Sequence, residues 1–253
     1  MTFAGLHRGR EALLLPNAWD VASALAFINA GHPAVGTTSL GVSASHGHPD
    51  GARGGRERTR DLVRALRTLP VHVSADIEDG FDDDPARVAV YVNELGVAGI
   101  NIEDSTSETL IEPVAHASEI AEIKAICGDA VFVNARVDTF WLGQDATIEH
   151  TLERARHYVG AGADGVFVPG AFDPETIVAL ASGFDVPLNV LPQPGLSVAE
   201  LSELGVRRVS SGSLPYRAAL AAAVTAVDCV RAGTSPEAIA YAEVQRLTRS
   251  YAP

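Results

Sequence analysis

Eight short apolar runs punctuate the chain, at residues 12–16, 34–37, 71–78, 99–103, 131–138, 165–169, 188–191 and 208–211. The segments between them carry apolar residues at helical spacing. DVASALAFINAG, ARVAVYVNELG, ASEIAEIKAICG, TIEHTLERARHYVGAG and SVAELSELG end in Gly31, Gly96, Gly128, Gly162 and Gly205, the residue type suited to the position after a helix. Strands alternating with helices predict parallel pairing through right-handed crossovers. Eight such units in about 210 residues predict a closed (β/α)8 TIM barrel. An open doubly wound sheet is the alternative, but no GxGxxG or Walker A loop supports it. The barrel is read as one unit over residues 1–253. Two further helical stretches, 214–232 and 235–251, exceed what the eighth unit needs and predict packing on a neighbouring copy. The polar, glycine-rich stretch at 46–55 reads as a long mobile loop.

Within three of the runs a period of two separates a polar from an apolar face. His72, Ser74, Asp76 and Glu78 alternate with Val71, Val73, Ala75 and Ile77. Asn101 and Glu103 alternate with Ile100 and Ile102, and Asn134, Arg136 and Asp138 with Val133, Ala135 and Val137. In a barrel the helix-facing phase is apolar, so the polar phase points to the axis, and its charges fall at the C-terminal ends where barrel active sites sit. Asp76, Glu78 and Glu103 converging there would repel one another unless compensated. A hard divalent cation, Mg2+ or Mn2+, supplies that compensation through oxygen ligands; an ion-pair network with Arg136 is the alternative.

Composition narrows the chemistry. With 19 Lys plus Arg against 32 Asp plus Glu the net charge is −13, which argues against nucleic acid. No run approaches the ~20 apolar residues of a membrane span, and the N-terminus lacks the pattern of a secretory signal, so a cytoplasmic protein is expected. The only cysteines, Cys127 and Cys229, lie in helical stretches and read as buried structural thiols. The only lysine, Lys124, reads as the exposed face of a helix, which argues against Schiff-base chemistry. His72 reads as a barrel-core residue, and Arg53, Arg56, Arg58 and Arg60 as a solvated loop and helix start.

The strand ends SADIEDG, NIEDS and NARVD resemble those of the isocitrate lyase/phosphoenolpyruvate mutase superfamily, in its carboxyvinyl-carboxyphosphonate phosphorylmutase-like or oxaloacetate decarboxylase-like branch. LLLPNAWDVASA and TTSLGVSASHGHPDG resemble its first strand and second-strand substrate loop, and LNVLPQPG and RRVSSGSLPYRAA its last two strands, so the likeness runs from about residue 13 to 219. The resemblance implies that Asp76 ligates Mg2+ directly, with Glu78 and Glu103 holding the ion, often through water. It implies that Thr38, Ser39 and Leu40 grip the substrate carboxylate or phosphonate, that Asp50 sits near the metal, that Arg136 clamps the substrate carboxylate and that Asn189 contacts substrate. It also implies a tetramer, a dimer of dimers, with the C-terminal helices from about 214 to 251 exchanged between subunits. One segment departs from the pattern. Lyases of the superfamily carry a mobile KKCGH-type loop after the fourth strand, whereas this chain reads EDSTSETLIEPVAHAS, with no Cys or Lys.

These readings predict a Mg2+-dependent carbon–carbon lyase or decarboxylase for a small 2-oxo or 2-hydroxy carboxylic acid, oxaloacetate-like or methylisocitrate-like, working through a metal-stabilised enolate. Retro-aldol cleavage needs a base and an acid. Loss of CO2 from a β-oxo acid needs neither before the bond breaks, so the missing Cys and Lys favour decarboxylation. Asp50, His46 and His48 are the remaining acid–base candidates. The alternatives are phosphorus–carbon bond chemistry on phosphoenolpyruvate or phosphonopyruvate, and an oxo-acid-binding protein without activity.

Overall fold

A computed structural model describes residues 1–251. In chain order the elements are α1 (Phe3–Leu6), β1 (Leu13–Leu15), β2 (Asn17–Ala18), α2 (Val21–Asn29), β3 (Ala34–Thr37), α3 (Ser39–Ala44), α4 (Arg56–Leu66) and β4 (His72–Asp76). There follow α5 (Pro85–Leu95), β5 (Gly99–Glu103), the hairpin β6 (Ser105–Thr106) and β7 (Thr109–Leu110), α6 (Pro113–Cys127), β8 (Phe132–Arg136), α7 (Thr139–Leu142) and α8 (Ile148–Gly160). The remainder is β9 (Gly165–Phe167), α9 (Pro174–Ala181), β10 (Leu188–Val190), α10 (Val198–Glu203), β11 (Val206–Ser210), α11 (Leu214–Arg231) and α12 (Tyr241–Ser250).

The large sheet runs β1-β11-β10-β9-β8-β5-β4-β3-β2, with every pairing parallel. Its two ends, β1 and β2, are halves of one stretch separated by Pro16. Proline has no N–H to give, yet its carbonyl accepts from the Gly36 N–H at 2.8 Å. The nine pieces are therefore eight staves, and the sheet closes into the expected (β/α)8 barrel.

Local chemistry fixes the helix ends. Asp20 and Ser23 form a capping box, as do Ser197 and Glu200, and Asp84 and Asp173 cap helices that begin with proline. Gly96 ends α5 at φ 61°, a conformation costly for a residue with a Cβ.

Val73, Ala75, Ile100, Ile102, Val133 and Ala135 face outward and pack with Val88, Val92, Ile120 and Ile123 of the helices. A smaller apolar cluster closes the N-terminal end, where Phe3 of α1 meets Leu13, Leu15, Ala34 and Phe132. The axis between is polar: Asn134 Nδ2 donates to Asn101 Oδ1 at 2.8 Å, and Arg208 Nη2 reaches the same oxygen at 3.1 Å. Among the described residues no helix is long and apolar enough to cross a membrane.

Several expectations are corrected. β4 ends at Asp76 rather than Glu78, because Glu78 takes φ 51° and leaves the pleat. The last helix starts at Tyr241 rather than 235, where α12 gains α2 as a packing surface, with Arg246 Nη2 on Asn29 Oδ1 at 2.6 Å. Lys124 is not a free surface cation: it pairs with Asp164 at 3.0 Å. Cys229 is only partly covered, because α11 stands away from the barrel and Tyr216 is its buried residue.

Candidate active site

Three strand ends place charge at the C-terminal mouth. Glu103 and Arg136 are register partners on β5 and β8, and Asp76 ends β4, in register with Asn101. Arg136 Nη1 meets Glu103 Oε2 at 2.7 Å, and its Nε meets Asp138 Oδ1 at 2.6 Å. The guanidinium also lies 5.7 Å from the Trp141 ring centroid and 5.9 Å from that of Phe167. Asp76 Oδ2 accepts the Ser39 N–H at 3.1 Å, and the Asp76 N–H donates to Thr37 Oγ1 at 2.8 Å. Thr38 occupies the N-cap of α3 and is buried, while Ser39 and Leu40 are half-buried.

The acids disturb one another. Burial, with Asp76, Asp50 and Asp79 nearby, pushes the Glu78 carboxyl up to about 7 against a hydrogen bond from the Arg53 N–H. Burial pushes Glu103 well above the usual range; Arg136 opposes this, while Asp138, Asp76 and Asp50 add to it. Asp50 is raised by burial and by Asp76. Burial would lower Arg136, but Glu103, Asp138 and Asp76 hold it above its ordinary value.

Hard oxygen donors with a surplus of negative charge suit a divalent cation such as Mg2+. Among the described residues no three acidic, His or Cys side chains approach closely enough to form a direct cage. Mg2+ keeps several of its waters and needs only one or two carboxylates, so the donor set fits it.

Asp50, Asp76, Glu78, Glu103, Arg136 and Ser39 thus share one neighbourhood, while His46 and Asn189 are held by other partners. The exposed His46 bonds through Nδ1 to the Val42 carbonyl at 2.9 Å and lies 3.2 Å from Ser45 Oγ. Asn189 is buried and spends both ends of its amide on Ser210, at 3.0 and 3.2 Å, which clamps β10 to β11.

Other contributors escape a reading of strand phase. Asp104 faces away from the axis and accepts from Arg154 Nε at 2.6 Å, Tyr158 Oη at 2.7 Å and the Asp138 N–H at 2.8 Å. The Arg154–Tyr158 spacing of four on α8 is the sequence signal for a shared partner. Arg53 is not a solvated loop cation, since it pairs with Asp79 at 2.8 Å and Asp83 at 2.7 Å. Its signal is one cation in a glycine-rich loop beside the acidic run EDGFDDD. Arg56 and Arg60 lie over the Tyr91 ring.

The segment after β5 is a tight hairpin. Ser107 and Glu108 turn at φ 50° and 60°, as a two-residue I′ connection requires. Gln144 fixes it, accepting the Leu110 N–H at 3.1 Å and donating to the Glu108 carbonyl at 2.8 Å.

A closed parallel barrel whose C-terminal mouth gathers carboxylates around a guanidinium defines a class of barrel enzyme. The phosphoenolpyruvate phosphomutase family model matches residues 3–231, and the chain belongs to that family. An uncharacterised protein of Mycobacterium tuberculosis is 52% identical over 97% of this chain and 95% of its own length. A 2-methylisocitrate lyase of Halalkalibacterium halodurans is 30% identical over 74% of this chain and 65% of its own. An oxaloacetate decarboxylase of Pseudomonas entomophila is 30% identical over 69% and 63%. The chain therefore spans just under two thirds of these last two enzymes. Among solved structures, phosphonopyruvate hydrolase in complex with oxalate and Mg2+ shares the fold, with a TM-score of 0.85 at 23% identity, over 99% of this chain and 96% of that one.

Proposed function

We propose that this protein is a Mg2+-dependent carbon–carbon lyase for a small 2-oxo or 2-hydroxy carboxylate, with decarboxylation of an oxaloacetate-like β-oxo acid as its favoured reaction. The observation that carries this reading is the placement of Asp76 and Glu103 beside Arg136 at one mouth, under a connection that supplies neither Cys nor Lys. The named relatives, a 2-methylisocitrate lyase and an oxaloacetate decarboxylase, support it.

Asp76 would hold the ion directly, with Glu78, Glu103 and Asp50 around it. Bound there, Mg2+ would supply Lewis acidity toward the substrate's carbonyl oxygen. Arg136 offers a planar fork for the carboxylate. Glu103 takes Nη1 and Asp138 takes Nε, so a substrate carboxylate seated on either edge of the fork displaces one of them. The start of α3 at Ser39 orients Asp76. Trp141 and Phe167 wall the guanidinium and exclude water from one side. Asp50, beside Asp76 and hydrogen-bonded to Ser39, would be the group to deliver a proton to the carbon left by CO2.

The test is a screen of oxaloacetate, 2-methylisocitrate, 2,3-dimethylmalate and phosphonopyruvate with Mg2+, read as CO2, pyruvate and phosphate release. Asp76→Ala is expected to lose Mg2+-dependent thermal stabilisation and about 10³-fold or more in turnover. Undiminished turnover in that variant would reject the reading. The family model's own description keeps phosphorus–carbon chemistry as the second reading; phosphate release from phosphonopyruvate, followed by ³¹P NMR, would favour it.

A further inference from the structure

The connection from α3 to α4 contains Gly47, Gly51, Gly54 and Gly55, and the first two take φ 78° and 71°. It lies flat on the site: a Cβ at Gly55 would sit 2.9 Å from Glu78 Oε1 and 3.1 Å from Ser43 Oγ. The Arg53 side chain supplies the ion pairs that tie this pliable stretch down, beside a hydrogen bond between Asp50 and Ser39. Arg53 Nε donates to both Asp79 oxygens at 3.0 and 2.8 Å, Nη2 meets Asp79 at 2.8 Å, and Nη1 meets Asp83 at 2.7 Å. The Arg53 N–H donates to Glu78 Oε2 at 3.1 Å. Arg53 itself sits at φ 56°, disfavoured for a residue with a Cβ, and the ion pairs hold it there. Asp79 also accepts from Thr106 Oγ1 at 2.7 Å, so the anchor is shared with the β6–β7 hairpin.

The two sides of the mouth differ in what they can do. The hairpin side is fixed by Gln144, whereas the glycine-rich side is held by Arg53, 29% exposed, through the buried Asp79 and through Asp83, 91% exposed, with a further hydrogen bond between Asp50 and Ser39. The Asp83 arm, open to water, is weak enough to break and re-form, which leaves the shielded Asp79 arm as the main hold. We propose that Arg53 is a positioning residue that latches residues 46–55 over the mouth through Asp79 and Asp83. When latched, it sets Asp50 beside Asp76 and holds the Glu78 carboxylate; substrate enters when the latch releases. The identity of that substrate rests on the function proposed above, and the latch itself does not.

Hydrogen exchange of the full chain tests it. In Arg53→Gln the amides of residues 50–55 are expected to exchange about tenfold faster, with those of β4 and β5 unchanged. Arg53→Lys should fall between, since an ammonium can pair with one carboxylate but cannot make the fork. In turnover, KM for oxaloacetate should rise about tenfold with a smaller change in kcat. Equal exchange at 50–55 in both proteins, or faster exchange throughout the barrel, would overturn the proposal. Should Arg53→Gln fail to fold, Asp83→Asn removes only the exposed arm, and about threefold faster exchange at 50–55 is expected; no increase would overturn the proposal. If Mg2+ with oxalate fails to stabilise the wild-type protein, the functional reading is at fault, and the exchange contrast still decides the latch.

Discussion

His7 shows how a single residue can be set by its surroundings rather than by its type. It stacks on Phe132 with ring centroids 4.2 Å apart, meets the edge of Phe3 and bonds through Nδ1 to the Phe3 carbonyl at 3.0 Å. Burial, with the nearby Arg208 charge, lowers its pKa to about 3 against the help of that carbonyl. The native imidazole therefore stays neutral while an unfolded one gains a proton below about 6.5, so the unfolded state binds more protons in between. Stability is fully present above pH 6.5 and declines as pH falls toward 3. At pH 5 the His7 contribution is a loss of about 2 kcal/mol. Comparing His7→Gln with wild type by urea unfolding at pH 7 and pH 5 should show a shallower loss in the variant by about that amount; parallel curves would contradict the assignment. Arg208, fully buried, is likewise drawn down to about 9 by burial, with Asp76 opposing. Neither shift could be foreseen from residue type, because both arise from what the barrel closes around.

Among the elements, β5 and α8 depend on each other most directly. Asp104 and Arg154 are a buried pair, completed by the Tyr158 hydroxyl and the Asp138 N–H. Removing one partner leaves the other charge buried, so Arg154→Met is expected to cost about 3–5 kcal/mol in urea unfolding. Tyr158→Phe removes one hydrogen bond to a buried carboxylate and should cost about 1.5–3 kcal/mol. Arg154 also donates to the Ile111 carbonyl at 2.5 Å, so the same substitution should loosen the chain leaving the β6–β7 hairpin, seen as faster exchange at residue 111 and beyond. Period-two reading served β4, β5 and β8 well up to their last residues. It carried Glu78 onto the inward face by arithmetic, whereas the chain reaches that neighbourhood through a turn at positive φ.

At the scale of the molecule, α11 leaves the barrel with Leu220, Val224 and Val227 in one exposed row. A soluble chain seldom leaves such a face open, and a second copy of this chain is the occupant proposed for it, within a tetramer. Val227→Asp is expected to shift the mass measured by light scattering from tetramer toward smaller species, and an unchanged mass would reject that assembly. The alternation of strand and helix, the glycines after helices, the polar phase of β4, β5 and β8 and the family likeness were all legible in the sequence. Periodicity and turn chemistry are local, and a run of residues carries them whole. The tertiary structure alone decided that Pro16 splits one stave in two, that Arg53 clasps Asp79, and that Asn189 is spent on Ser210. It also decided that His46 bonds back to the Val42 carbonyl. Partners far apart in the chain, such as Arg208 and Asn101, meet only when the barrel closes, and the low dielectric that draws down the Arg208 guanidinium exists only once water has been excluded.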